Sequence, residues 1–158
     1  MKKLTALLLA VLLVFGLAAC AGSPAASNAK PGDTMTLQDI LTSITKDVAD
    51  LPDTETTALT KDNFEYFAFT AMPDGVEAIA ADALINAVAH SVVLMRAQDA
   101  ETAKKLAADV EANLNPAKWV CVEAEKTAVL VHNCTVLLVM SWSNVTDALT
   151  ANFNALWS

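Results

Sequence analysis

Charge is scarce in this chain, and positive charge is scarcer still. Of 158 residues only 18% are charged, with ten Lys or Arg set against eighteen Asp or Glu. No basic run exceeds two residues, so the clustered cations that nucleic-acid binding requires are missing. Glycine occurs only four times, which leaves little room for a phosphate-cradling loop. Neither a G-x-S-x-G elbow nor H-E-x-x-H nor C-x-x-C is present, which removes the commonest nucleophile and zinc signatures. What the chain has instead is apolar mass, 54% of its residues. That excludes disorder for most of its length. The length suits one compact domain.

The N-terminus reads Met1-Lys2-Lys3, an apolar run from Leu4 to Ala19, then Cys20. Two cations followed by an apolar stretch are the first two regions of a secretory signal. The run of about 16 residues falls short of the roughly 20 that a spanning helix needs. Leu17-Ala18-Ala19-Cys20 resembles the lipobox of bacterial lipoproteins, in which the cysteine is diacylated and becomes the new N-terminus. The resemblance implies lipidation at Cys20, loss of residues 1–19 and a membrane partner held through acyl chains. Two chains on one residue anchor firmly where a single chain holds weakly. Without Lys2 and Lys3, eight cations face eighteen acids, a formal charge of −10. An anionic membrane surface would repel such a domain. Residues 21–35, AGSPAASNAKPGDTM, offer little to bury and read, with Cys20, as a tether.

Three helices follow from apolar spacing. Leu37, Ile40, Leu41, Ile44, Val48 and Leu51 place the first over 37–51, capped by Thr36 with Asp39 behind it and stopped by Pro52. Ala103, Leu106, Ala107, Val110 and Leu114 place the second over 100–114, capped by Asp99 and ended by Asn115-Pro116. Val145, Leu149, Phe153 and Leu156 place the third over 145–157, with Ser143 or Asn144 as its cap. Strands are expected at 91–95, 128–132 and 135–140, where β-branched residues concentrate. Asn133-Cys134 between the last two has hairpin length. A weaker strand pattern, whose alanines also permit a helix, spans 76–83 and turns through 84–89; 119–123 reads as a short edge strand, and 60–67 as a helical turn, with a strand as the alternative. Strands adjacent in sequence make the fold α+β, with a mainly antiparallel sheet of four to five strands and three helices in the order α-β-β-α-β-β-α. The domain is expected over 36–158.

Both faces of the central strands are apolar. Val92 and Leu94 oppose Val93 and Met95, and Val136, Leu138 and Met140 oppose Leu137 and Val139. A strand with one wet face would alternate. Either helices cover both faces, the first on one side and the other two opposite, or one apolar sheet face awaits a protein partner.

Leu84-Ile85-Asn86, followed by Ala89-His90-Ser91-Val92-Val93-Leu94-Met95-Arg96-Ala97, resembles the turn and following strand of a family of uncharacterised Gram-positive lipoproteins, domain of unknown function 4358. The helix from Asp99, the strand pair and the closing helix continue in that family's order, so the resemblance runs from about Leu59 to Leu156. Cys134 stands where the family often has glycine. The resemblance implies an extracytoplasmic, lipid-anchored location on a one-membrane cell and an α+β fold. It implies no activity.

Chemistry-bearing candidates are few. Cys121 and Cys134 are the thiols left for a disulfide outside the cell. A hairpin turning near Glu125 would separate them by about five residues, or roughly 17 Å, and a bridge tolerates only about 7 Å between Cα atoms. The alternatives are a bridge, if 119–122 lie outside that hairpin, and two buried thiols. His132 lies two before Cys134, and His90 is the other histidine. Neither has the companions that a metal site requires. No cofactor is expected. Trp119, Trp142 and Trp157 sit at element ends, as core caps or as interface anchors. The reading reached is a membrane-anchored, non-enzymatic binding or accessory module. The alternatives are an envelope hydrolase with an acidic site, drawing on residues such as Asp47, Asp50, Asp53 and Glu55, and a small-solute capture protein.

Overall fold

The computed structural model describes residues 29–158. The leader, Cys20 and most of the tether lie outside the described residues. The fold is α+β: ten elements build a five-stranded, wholly antiparallel sheet with helices on both faces. In chain order they are α1 (Pro31–Thr34), α2 (Leu37–Thr45), β1 (Thr54–Ala58), α3 (Phe64–Ala68), β2 (Glu77–Ala83), β3 (Ser91–Arg96), α4 (Ala100–Asn113), β4 (Lys126–His132), β5 (Thr135–Ser141) and α5 (Ser143–Ala155). The strand order is β1-β2-β3-β5-β4. The connection through α4 carries the chain from β3 to the edge, and the β4–β5 hairpin brings it back beside β3.

The double-faced apolar strands are explained by coverage. On one face Val93, Met95, Val136 and Leu138 meet Phe64 of α3 and Leu106 and Val110 of α4. On the other face Val92, Leu94, Leu137 and Val139 meet Ile40 and Ile44 of α2 and Leu149 and Phe153 of α5. The expected distribution of helices is therefore corrected: the first and third share a face, and the second lies opposite. Asn152 of α5 fixes that pairing by donating from Nδ2 to the carbonyl of Ile44 at 2.9 Å, where α2 runs out of internal partners. No bare sheet face remains for a partner at β3 or β5, both buried almost completely.

Several expectations are revised. Helix α2 ends at Thr45 because Asp47 and Asp50 take positive φ, 58° and 61°, a conformation that breaks the helix and that Asp tolerates. The tether reading extends too far, since Pro31–Thr34 form α1 and the domain begins there. Strand β1, Thr-Glu-Thr-Thr-Ala, was not anticipated: its residues are nearly all exposed, so it lacks the apolar alternation that marks a strand. Residues 119–123 are not a strand; they lie in the long connection between α4 and β4. The hairpin turn is made with positive φ at Asn133 alone, 49°, so Cys134 need not adopt the conformation that glycine would favour.

A candidate functional site at one end of the sheet

The two ends of the sheet differ in chemistry. At the Arg96 end, the segment entering the domain is strapped down. Arg96 donates from Nη1 to the Met35 carbonyl at 2.7 Å and from Nη2 to the Gly32 carbonyl at 3.2 Å. Asp33 accepts from Trp157 Nε1 at 2.8 Å, from Asn133 Nδ2 at 2.6 Å and from the Lys30 backbone at 3.0 Å. Partial burial pushes the Asp33 carboxyl up, but these hydrogen bonds and the Arg96 charge hold it below its ordinary value. Gly32 is required there, because a Cβ would run into the Trp157 ring.

At the opposite end, Asp82 lies one residue before the end of β2, Ser91 opens β3, and the two are paired in register. Ser91 donates from Oγ to Asp82 Oδ1 at 2.5 Å. Lys118, from the α4–β4 connection, donates to Asp82 Oδ2 and to Ser91 Oγ, both at 3.0 Å. Its side chain is 4% exposed. The ammonium lies 5.1–5.2 Å from the ring centres of Tyr66, Phe67 and Trp119, within cation–π range. Burial lowers the Lys118 pKa, and the charge and hydrogen bond of Asp82 push it back up. On the other face of β3, His90 is fully buried, with Nδ1 2.8 Å from Ser141 Oγ. Its Nε2 has no hydrogen-bond partner. Burial, opposed by the Asp82 charge and helped by that of Lys118, lowers its pKa to about 4, so the imidazole is neutral at physiological pH.

Nothing in the sequence links the residues of this cluster. Asp82, Ser91 and Lys118 are isolated polar residues: pairing of β2 with β3 joins the first two, and the α4–β4 connection brings Lys118 to them. Ser91 is completely buried, so its hydroxyl is not accessible as a nucleophile. The geometry is that of a buried ion pair closing a loop.

The other candidates disperse. Cys121 is a free, exposed thiol, so the Cys121–Cys134 bridge is not formed and Cys121 is not a buried hydrophobe. Cys134 has a partner of its own. His132 stacks on Trp157 with ring centres 5.0 Å apart and meets Asn154 Oδ1 through Nε2 at 2.7 Å. All three tryptophans pack at the margins of the two cores. Asp50 accepts from Asn144 and Asp53 lines a cleft with Leu84 and Ile85, so these acids do not converge. Two S-x-x-K spacings occur, Ser27–Lys30 and Ser43–Lys46. The first lies partly outside the described residues. In the second, Ser43 is near the end of α2 and Lys46 has already left the helix, so it lacks the helix N-terminal setting and no mutual hydrogen bond forms. Among the described residues, no group of three His, Cys, Asp or Glu is placed to hold a metal ion. Among the described residues, no helix is long and apolar enough to cross a membrane.

No protein-family model matches this chain, and no curated protein and no solved structure matches it either.

Proposed function

We propose that this chain is a lipid-anchored, extracytoplasmic membrane lipoprotein whose folded part is a non-enzymatic binding or accessory module. The observation carrying this reading is the run Leu4–Ala19 ending in Leu17-Ala18-Ala19-Cys20. The resemblance to the uncharacterised Gram-positive lipoproteins points to the same location. The first described element begins at Pro31, and residues 21–30 separate it in sequence from Cys20. The module reading is supported by polar clusters that are consumed internally: Lys118 by Asp82 and Ser91, Asp33 by Trp157 and Asn133, His132 by Asn154 and Trp157.

Mass spectrometry of protein purified from the bacterial membrane tests it. The expected mature chain starts at residue 20 bearing fatty acyl groups, and Cys20→Ser should leave an unacylated chain with its leader retained. An intact Met1, or an unmodified start elsewhere, overturns the anchor. Hydrolysis of envelope polymers that is lost on replacing Asp47, Asp50, Asp53 or Glu55 would overturn the non-enzymatic reading.

A further inference from the structure

Four large hydrophobic side chains stand out as exposed among the described residues: Tyr66 at 61%, Leu84 at 62%, Ile85 at 64% and Val120 at 99%. They come from α3, the β2–β3 connection and the α4–β4 connection. All are gathered at one end of the sheet by the Asp82–Lys118 pair. Leu84 and Ile85 follow Asp82 by two and three residues, Val120 follows Lys118 by two, and the Tyr66 ring lies 5.2 Å from the Lys118 ammonium. Scattered exposed hydrophobics are ordinary; their concentration at one pole is not. A cleft of about 160 Å³ opens beside Leu84 and Ile85, bounded by Pro52, Asp53 and Val88.

The rim of this pole is acidic. Asp53 borders the cleft, Glu55 lies across from Asp82 in register, Glu65 precedes Tyr66, and Glu123 follows Val120; all four acids are exposed. The nearby cations are already taken: Lys118 pairs with Asp82 and Lys126 with Asp147. A second copy of this chain would bring the same acids against these, and an anionic bilayer would likewise be repelled. The complementary surface carries an apolar anchor flanked by Lys or Arg.

We infer that the pole formed by Tyr66, Leu84, Ile85 and Val120 is the docking surface for a protein segment that presents an apolar side chain between basic residues. The strap at the Arg96 end places the entering chain at the far end of β3, about 20 Å away for a six-residue strand. If Cys20 holds the lipid, the docking pole therefore lies at the end of the sheet opposite the one where the anchored chain enters. Only this orientation rests on the lipoprotein reading.

The test uses the full chain in the bacterium that makes it, with a photocrosslinking amino acid placed at Ile85 or at Val120, and at the exposed Glu111 of α4 as the control. The adducts are mapped to the peptide. Adducts at 85 and 120, absent at 111, to a peptide of another protein that sets an apolar residue among Lys or Arg support the inference. Asp53→Lys together with Glu55→Lys should cut their yield about tenfold. Adducts to a second copy, to lipid or to an acidic peptide, equal labelling from 111, or no adduct at 85 and 120 would overturn it. Sedimentation of the same protein with membranes reads the anchor separately, so loss of one reading is distinguishable from loss of the other.

Discussion

The two ends of the sheet solve the same problem in opposite ways. At the Arg96 end, backbone carbonyls of the entering chain and the Asp33 carboxylate meet Arg96, Asn133 and Trp157, and polar bonds close the surface. At the Asp82 end, a single buried ammonium closes the loop over the sheet, and the surface around it is left apolar. A closed end built from many modest hydrogen bonds tolerates the loss of one. An end built on one desolvated ion pair does not, because removing a partner strands a buried charge.

The largest expected effect follows from that asymmetry. Lys118→Met should destabilise the domain by about 3–5 kcal/mol, since Asp82 then loses the counter-ion it pairs with in a partly buried site. The double substitution Asp82→Leu with Lys118→Met should recover most of that loss, because it removes both charges. Denaturant unfolding of the two variants measures the contrast; equal instability would mean that Lys118 acts through packing alone. Next comes acid sensitivity at the same end. The pKa of His90 falls from 6.5 to about 4 on folding, so below pH 6.5 the unfolded chain binds a proton that the folded chain refuses. Its contribution is therefore complete above about pH 6.5 and declines as pH drops toward about 4, by about 3 kcal/mol in all. Unfolding at pH 7.5 and pH 4.5 should show that loss, and His90→Gln should flatten it.

The strap end should respond less. Asp33→Ala removes acceptors from Asn133 and Trp157 and should cost about 1–2 kcal/mol, as both donors can turn to water. A loss as large as that of Lys118→Met would erase the distinction between the ends. Smallest of all, Leu84→Ser and Ile85→Ser should shift stability by no more than about 0.5 kcal/mol, because both side chains are already in solvent. Thermal melts check this, and a larger loss would show that these residues serve the fold.

The sequence made the covered parts of this molecule legible and the open end illegible. Helices α4 and α5 and strands β3 and β5 appear within a few residues of their expected bounds, because the helices bury a regular apolar stripe and the strands are continuous apolar, β-branched runs. Strand β1 was invisible because Thr54–Ala58 has no buried face; its place comes from backbone pairing to β2. The Asp82–Ser91–Lys118 cluster was equally invisible. Periodicity reports which residues are buried, not which isolated polar residues will meet after folding, and Lys118 lies in a segment without regular structure. The hydrophobic residues of the docking pole gave no sign either, because in sequence Leu84, Ile85 and Val120 look like any other apolar positions.

Arg96 and Ser91 are the two ends of one strand, and β3 is flanked on both sides by antiparallel neighbours. A pull applied between these two ends would run along the length of β3. Its hydrogen bonds to β2 and β5 lie across that pull and would be loaded in shear, together and not one after another.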